Sequence, residues 1–318
     1  MSAVFGSRPV RATIALGLLA YLLWLSNPSD VWQSLTGARP WPLVLAIGLT
    51  LFDRALMAYR WLALLGPLPA DTRPPLLTVM RIFFVSTFVG TFLPASVGGD
   101  AVRAYALSGH RVPISLSVAS VMVDRALGTA SILLLGLASV LLAPPLSIPG
   151  LTPVFILGTL LCVALALVVF SGRMADLLSR VVARLPSRRL TSVMERLLGA
   201  VREYRHQRTP LIAVLGASIG VQVLRVLQAF CLGVALGISA PLWSYFVAIP
   251  LVLLVMLLPI TINGLGTSQA AFLWCFGALG VGRAEAFALS VLFVALGVVG
   301  NLPGGLLYAT GGLPRHAS

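Results

Sequence analysis

Charged side chains interrupt some of the most apolar stretches of this sequence. Asp100 and Arg103 follow two glycines in LPASVGGDAVRAY, and Asp124 and Arg125 stand together in a run of small and aliphatic residues. A charge inside a membrane costs at least about 2.5–3.5 kcal/mol on insertion scales, so such residues usually serve function or pair with one another. Guanidinium groups suit bidentate contact with phosphate, so these residues favour recognition of an anionic group.

The spacing places polar residues on three helical seams. Asp53 and Arg60 are seven residues apart with Met57 between them, which puts them on one helix face. Two further seams have the same three- and four-residue spacing: Ser117, Ser120, Asp124, Gly128 and Ser131, and then Ser218, Gln222 and Arg225. Three helices that each carry a polar seam predict a shared polar interior rather than contact with lipid.

Two interpretations of these seams stay open. In the first, they form a pathway for a lipid headgroup, and the residues that would bind it are Arg60, Ser96, Asp100, Arg103, Gln222, Arg225, Asn263 and Gln269. In the second, the charges pair internally and hold helices in register, for instance Asp53 or Asp124 with Arg225. Internal pairing is favoured for Asp53, Arg54, Asp124 and Arg125, because carboxylates do not bind anionic lipid.

The composition indicates a polytopic membrane protein. The chain has 318 residues, of which 58% are hydrophobic and 10% charged, whereas a soluble domain carries about 25% charged residues. Residues 126–172 and 226–282 contain no charge at all. Each window is much longer than the ~20 residues that one transmembrane helix needs, so each must fold back within the membrane.

The net charge of +13 comes from arginine alone. Nine of the 22 arginines lie in residues 173–208, which is typical of a cytoplasmic loop under the positive-inside rule and not of nucleic-acid binding. Apolar residues recur there at helical spacing on both sides of Pro186, which predicts two amphipathic helices. Such helices lie against anionic headgroups at the cytoplasmic face or pack on their own protein.

Hydropathy and helix-breaking residues divide the chain into apolar helices. The first, over residues 10–25, follows Arg8 and Arg11 and is expected to be retained rather than cleaved. The remaining predicted segments cover residues 41–65, 76–93, 114–142, 153–170, 210–237, 243–280 with an internal break, and 285–310. Cys162, Cys231 and Cys275 have unrelated spacings, so neither a disulfide nor a metal site is expected.

Two segments must turn back inside the membrane if the arginine-rich loop and both termini are to lie on the cytoplasmic side. With residues 173–208 inside, both termini are cytoplasmic only if residues 76–103 form a re-entrant hairpin from the cytoplasm and residues 243–280 one from outside. Pro94, Gly98 and Gly99 break the first hairpin, and Pro259, Gly264 and Gly266 break the second. A helix restarting after Gly99 would attract anions at its free N–H groups, with Asp100 as its cap or as a partner of Arg103.

The two breaks share a sequence pattern. LPASVGGD and LPITINGLG match at Leu-Pro, at a hydroxyl two residues later and at a glycine five residues after the proline. This predicts one domain over residues 1–318, with repeats at about 41–142 and 210–310 around the loop at 173–208. The fold class is an all-α polytopic membrane protein with about six spanning helices and two opposed re-entrant hairpins, which form an inverted repeat.

These motifs resemble the flippase-like transmembrane domain of the lysylphosphatidylglycerol synthases. The resemblance covers nearly the whole chain and rests on Arg60-Trp61, Leu93-Pro94, Gly98-Gly99-Asp100, Arg103-Ala104-Tyr105, Asp124-Arg125, Leu258-Pro259 and Gly264-Leu265-Gly266. It implies lipid translocation between leaflets, without the aminoacyl-transferring activity of the bifunctional members. Gln269 stands where the family pattern has Glu, so no carboxylate role is carried over to it.

Three classes of function follow from the sequence. A lipid translocase of the inner (cytoplasmic) membrane is the first, acting on a phospholipid, an aminoacylated phospholipid or another lipid with an anionic headgroup. A membrane enzyme is disfavoured because the histidines are only His110, His206 and His316, all in predicted loops or the tail. The alternative is a non-transporting scaffold for a lipid or envelope-glycan enzyme. No cofactor, metal or nucleic acid is expected, and a homo-oligomer is left open.

Overall fold

The computed structural model describes most of the chain. The described residues are 8–66, 73–92, 97–110, 112–142, 150–170, 191, 195–196, 199–201, 203–204, 207–258 and 264–311. All regular structure within these ranges is helical. The predicted amphipathic pair within residues 173–208 lies largely outside them, and so do the tips of both predicted hairpins.

Long helices supply the framework of the molecule. In chain order the described helices are α1 (Arg8–Leu25), α2 (Pro28–Thr36), α3 (Pro40–Leu64), α4 (Leu76–Phe92), α5 (Val97–Ser108), α6 (Ile114–Leu142), α7 (Leu151–Phe170), α8 (Arg208–Ala235), α9 (Leu242–Leu257), α10 (Thr267–Gly277) and α11 (Arg283–Gly311). Among the described residues, α3, α6, α8 and α11 are long and apolar enough to cross a membrane. This agrees with the polytopic class that the composition predicts.

The predicted helix bounds hold to within two residues in most cases, but α2 was not expected. The sequence analysis assigns no helix between residues 25 and 41. Pro28 occupies the first turn of α2, where its missing N–H costs nothing, and Asp30 adds a negative charge near the helix N-terminus. Nine residues with one buried apolar side chain, Val31, are too few to show a clear periodic pattern.

Two pairs of short helices separate the long ones. Helix α4 packs against α5, and α9 packs against α10. The 12 residues of α5 and the 11 of α10 span about 18 Å and 17 Å at 1.5 Å per residue. Neither reaches across a hydrocarbon core of about 30 Å.

The contacts of one half of the chain are matched in the other half. The order long, short, short, long describes both α3–α6 and α8–α11. Helix α4 packs on α11 of the second set, and α9 packs on α6 of the first. The α6–α8 contact has its counterpart in the α3–α11 contact, and α3 lies along α8. We refer to α3–α6 and α8–α11 as the two four-helix units, whose contacts correspond in this way.

The surface is apolar where a soluble protein would be polar. Leu142 and Leu77 are 85% and 80% exposed, and α7 leaves Leu157, Leu161 and Leu167 uncovered. The largest cluster of buried apolar residues lies in the second half and contains Tyr245, Phe272 and Phe276. Polar groups are instead drawn inward, where Asp53, Arg60 and Asp124 are each at most 3% exposed. This distribution is that of a membrane protein with a polar interior.

Candidate functional site

A cavity of about 390 Å³ lies between the two sets of helices. Its wall includes residues of both short pairs, with Gly90 and Gly99 on one side and Met256 and Gly264 on the other. The ionisable side chains that line it are Asp53, Arg54, Arg60, Asp100, Arg103, Asp124, Arg125 and Arg225. Five arginines and three aspartates give this wall a formal charge of 5 − 3 = +2.

Asp124 is the centre of the more deeply buried group. Arg60 approaches its Oδ1 with Nη2 at 2.7 Å, and Arg103 donates from both terminal nitrogens to its Oδ2 at 3.2 Å. These residues come from α6, α3 and α5, so the group joins three helices. We refer to Asp124, Arg60 and Arg103 as the Asp124 cluster. All three are at most 4% exposed, so their charges are compensated within the protein.

Aromatic rings complete the surroundings of Arg103. Its guanidinium carbon lies 4.9 Å from the ring centroid of Trp61 and 5.6 Å from that of Phe83. Trp61 is fully buried and donates its indole N–H to the Ser120 hydroxyl at 3.2 Å. The ring faces attract the cation and orient it toward Asp124.

Asp100 links the start of α5 to α6. Its Oδ1 accepts from Arg103 at 3.3 Å and its Oδ2 accepts from Arg125 Nε at 2.6 Å. Asp100 lies in the first turn of α5, where a negative charge also stabilises the helix. The predicted partnership of Asp100 with Arg103 is therefore present in the structure.

A second charged group surrounds Asp53. Arg54 donates to its Oδ2 at 3.2 Å, and the Nε of Arg225 lies 3.7 Å from its Oδ1. Both arginines also approach the Met57 sulfur, Arg54 Nη1 at 3.6 Å and Arg225 Nη2 at 3.3 Å. We refer to Asp53, Arg54, Met57 and Arg225 as the Asp53 group. Of the two partners that the sequence offered for Arg225, the structure selects Asp53.

The α8 seam attaches to both neighbouring helices. Ser218 accepts a hydrogen bond from Arg60 Nη1 at 2.9 Å, and Gln222 donates to the Ser131 hydroxyl at 3.1 Å. Gln222 also accepts from Arg225 at 3.4 Å. The shared polar interior that the three seams predict is thus present between α3, α6 and α8.

The two predicted breaks differ in structure. Gly264 and Gly266 have φ values of +74° and +84°, a region that glycine occupies without strain. Gly98 and Gly99, in contrast, lie inside α5, which begins at Val97, so the prediction that a helix restarts after Gly99 is wrong. A Cβ on Gly99 would lie 2.8 Å from the Ser86 carbonyl oxygen, so this glycine serves the close approach of α4 and α5.

Gln269 lies away from the cavity wall. Its Oε1 accepts from the Gly266 backbone N–H at 2.6 Å and from the Ser268 hydroxyl at 3.0 Å, at the start of α10. The residue is 1% exposed, and this arrangement satisfies an N–H that the helix cannot. Four other residues named from the sequence lie outside the described residues: Pro94, Ser96, Pro259 and Asn263.

Gln228 was missed by the sequence interpretation. It is 5% exposed, lines the cavity, and its Nε2 has no acceptor among the described residues. It continues the seam of Ser218, Gln222 and Arg225 by three residues, so helical spacing could have identified it. Among the described residues, no three histidine, cysteine, aspartate or glutamate side chains are grouped to hold a metal ion.

Comparison with known proteins agrees with this architecture. The family model described as "Lysylphosphatidylglycerol synthase TM region" matches residues 10–304. A relative from Methanothermobacter thermautotrophicus, described as a "UPF0104 membrane protein", is 24% identical and aligns over 90% of this chain and 89% of its own length. The match therefore covers α1 and both four-helix units. The chain belongs to the family of the lysylphosphatidylglycerol synthase transmembrane region.

Proposed function

We infer that this protein moves lipids between the leaflets of the cytoplasmic membrane, passing their polar headgroups through the central cavity. The observation that carries this inference is a cavity of net positive wall charge between two helix pairs, each with one member, α5 or α10, too short to span the bilayer. Its volume of about 390 Å³ falls in the range of ligand pockets, ≈ 300–1,000 Å³. A headgroup would occupy the cavity while the acyl chains stay in the apolar phase.

The short helix pairs act as re-entrant hairpins in this proposal. Helices α4 and α5 enter and leave on the cytoplasmic side, and α9 and α10 on the outer side. Irregular backbone at membrane depth is tolerated where it is buried in protein or lines a wet cavity. Substrates of transporters with inverted repeats bind at such broken helices near the membrane midplane. The matched helix contacts of the two halves support this arrangement.

The substrate class follows from the charge of the wall. Two excess positive charges favour a lipid whose headgroup presents a phosphate, such as an anionic phospholipid or, through its phosphodiester, an aminoacylated phospholipid. No covalent bond of the lipid changes in this proposal, so the protein is a transporter rather than an enzyme. Both termini and the arginine-rich residues 173–208 lie in the cytoplasm, where that segment contacts anionic headgroups.

A leaflet-exchange assay tests the proposal. The protein is reconstituted in vesicles that contain a fluorescent phosphatidylglycerol, and the fraction accessible to an external quencher is followed with time. We expect complete quenching with the protein and about half without it. Gly297→Phe should slow the exchange, because Gly297 lines the cavity and a Cβ there meets no atom within 4 Å.

Gly216→Phe is the matched control. Gly216 also has no atom within 4 Å of a Cβ, but it is exposed on α8 and does not line the cavity. This variant should exchange lipid at the wild-type rate. If vesicles with the wild-type protein show the same quenched fraction as vesicles without protein, the transport proposal is rejected in favour of the scaffold alternative.

A further inference from the structure

We propose that Arg54 and Arg225 form a two-sided clamp for the phosphodiester monoanion of a membrane lipid, and that the Asp124 cluster is structural. This assignment rests on the proposed function and deepens it, because it separates the arginines that bind cargo from those that hold the helices. It differs from the sequence interpretation, which placed Arg54 among internal charge pairs and Arg103 and Arg60 among binding residues.

The terminal nitrogens of both arginines in the Asp124 cluster already have polar partners, and only their Nε atoms have none. Arg103 uses both terminal nitrogens on Asp124 and one of them also on Asp100, while two aromatic rings cover its faces. Arg60 divides its terminal nitrogens between Asp124 and Ser218. An incoming anion would have to break buried ion pairs, and breaking such a pair costs several kcal/mol.

In the Asp53 group, Arg54 binds Asp53 at 3.2 Å, as closely as Arg103 binds Asp124, but Arg225 is bound more weakly. Arg225 reaches Asp53 only at 3.7 Å and Gln222 only at 3.4 Å, and both arginines make their remaining close contact with the Met57 sulfur. A thioether is a weak acceptor, whereas a phosphate oxygen forms short, charge-assisted hydrogen bonds with guanidinium. A phosphate between α3 and α8 would therefore gain contacts without displacing any strong ones.

The charge of this group fits a monoanion. One carboxylate stands between two guanidinium groups, which leaves one excess positive charge in a partly buried place. A phosphodiester supplies one negative charge and so neutralises the group. A phosphomonoester carries ≈ −1.5 to −2 at pH 7 and would leave excess negative charge inside the membrane.

Several buried donors of the cavity wall have no acceptor among the described residues, and Arg60 Nε and Arg103 Nε are among them. Two others lie in or beside the Asp53 group. Arg54 Nε and Gln228 Nε2 are buried and have no hydrogen-bond acceptor among the described residues. The Gln228 side chain is only 5% exposed, and Gln228 lies three residues after Arg225 on the same face of α8. Buried donors of this kind are costly unless something satisfies them. Phosphate oxygens would satisfy both.

Direct binding in detergent tests the clamp without requiring translocation. The full-length protein is titrated with dioctanoyl phosphatidylglycerol, and intrinsic tryptophan fluorescence or a thermal shift reports binding. Dioctanoyl phosphatidylcholine and inorganic phosphate form the other two arms. We expect Arg54→Gln and Arg225→Gln each to weaken phosphatidylglycerol binding about 10- to 100-fold, the range for loss of hydrogen bonds to a charged group.

Arg39→Gln is the matched control. It removes the same charge from an exposed residue before α3, and its backbone contact with Ala235 does not involve the side chain. This variant should bind phosphatidylglycerol like the wild type. The affinity of Arg225→Lys should lie between those of the wild type and Arg225→Gln, because lysine keeps the positive charge but cannot make the bidentate contact of a guanidinium group. Thermal unfolding measured without lipid verifies that each variant is folded.

Three results would overturn the clamp. Wild-type affinity in a folded Arg54→Gln Arg225→Gln double variant would exclude these residues from the binding site. If Arg39→Gln weakened phosphatidylglycerol binding equally, the effect would come from overall surface charge and not from a clamp. Inorganic phosphate binding as tightly as phosphatidylglycerol would make free phosphate the ligand. The clamp and the transport proposal can also fail separately. If the wild-type protein binds lipid and the clamp variants do not, but the wild type shows no leaflet exchange, the clamp is supported and transport is rejected.

Discussion

At the residue scale, the interior is organised by which carboxylate each arginine selects. The seams could be predicted because helical spacing alone determines which residues share a face. The choice between partners on other helices could not, as with Asp53 or Asp124 for Arg225, because it depends on the rotation of each helix about its axis. For Asp124, only the structure reveals the partners: Arg60 and Arg103, which come from two other helices.

Replacing Asp124 should destabilise the protein strongly. Asp124→Asn would leave Arg60 and Arg103 without their main counter-charge in a buried place, and breaking a buried ion pair costs about 3–5 kcal/mol. A marked fall in the thermal unfolding temperature in detergent is the expected result. Glu195→Gln, which neutralises an exposed carboxylate, should stay close to wild type, within about 0.5 kcal/mol. Equal stability of the two variants would contradict the structural role of the Asp124 cluster.

At the element scale, the short helix pairs are held by features that a sequence pattern shows only in part. The recurring Leu-Pro and glycine pattern correctly located both interruptions between helices. It could not show that the glycines act differently, since close approach of α4 and α5 is a property of packing and a positive φ at Gly264 and Gly266 is a property of the backbone. The packing of α4 on α11 and of α9 on α6 is likewise visible only in three dimensions.

Gly99→Ala should separate α4 from α5. The new methyl group would lie 2.8 Å from the Ser86 carbonyl oxygen, and neither backbone can yield without moving a helix. Overpacking of this kind costs about 1–3 kcal/mol, so lower thermal stability and slower leaflet exchange are expected. Gly48→Ala is the control, because its Cβ meets nothing within 4 Å inside α3 and alanine favours the helix. Similar unfolding temperatures for the two variants would refute the packing argument.

Gln269→Ala should weaken the start of α10. It removes the acceptor of the buried Gly266 N–H, at a cost of about 1–3 kcal/mol. We expect lower thermal stability with unchanged affinity for dioctanoyl phosphatidylglycerol, because Gln269 does not line the cavity. Gln33→Ala, on the exposed side of α2, provides the comparison for loss of the same side chain. If Gln269→Ala lost lipid affinity without losing thermal stability, Gln269 would instead belong to the binding site.

At the scale of the whole molecule, tryptophan marks one edge of the membrane. Trp24, Trp32, Trp41, Trp243 and Trp274 are at least 37% exposed. All five lie in the helix turns that the arginine distribution places toward the outside, and the sixth tryptophan, Trp61, is buried. Tryptophan is enriched at both membrane–water interfaces, so this belt supports the placement of these helix ends at one interface, and the arginine distribution alone predicts which side that is.

Site-directed labelling tests this orientation. Single cysteines are introduced at Gly150 and at Ser187 after Cys162, Cys231 and Cys275 are replaced by alanine. A membrane-impermeant thiol reagent applied to intact cells should label only the cysteine at position 150. The cysteine at position 187 should react only after the cells are opened. Labelling of both positions from one side would contradict the topology and with it the opposed hairpins.

The matched contacts of the two halves make one difference between them informative. Asp124 and Phe293 are both ten residues beyond the first residue of their helices, α6 and α11. Asp124 binds Arg103 of the adjoining short helix, whereas Phe293 stacks against Phe272 of its own short neighbour, with ring centroids 5.5 Å apart. The corresponding positions thus carry an ionic contact in one unit and an aromatic contact in the other. A travelling headgroup would meet two unlike walls, yet this unevenness leaves the equilibrium between leaflets unchanged, so any net pumping requires an external source of energy.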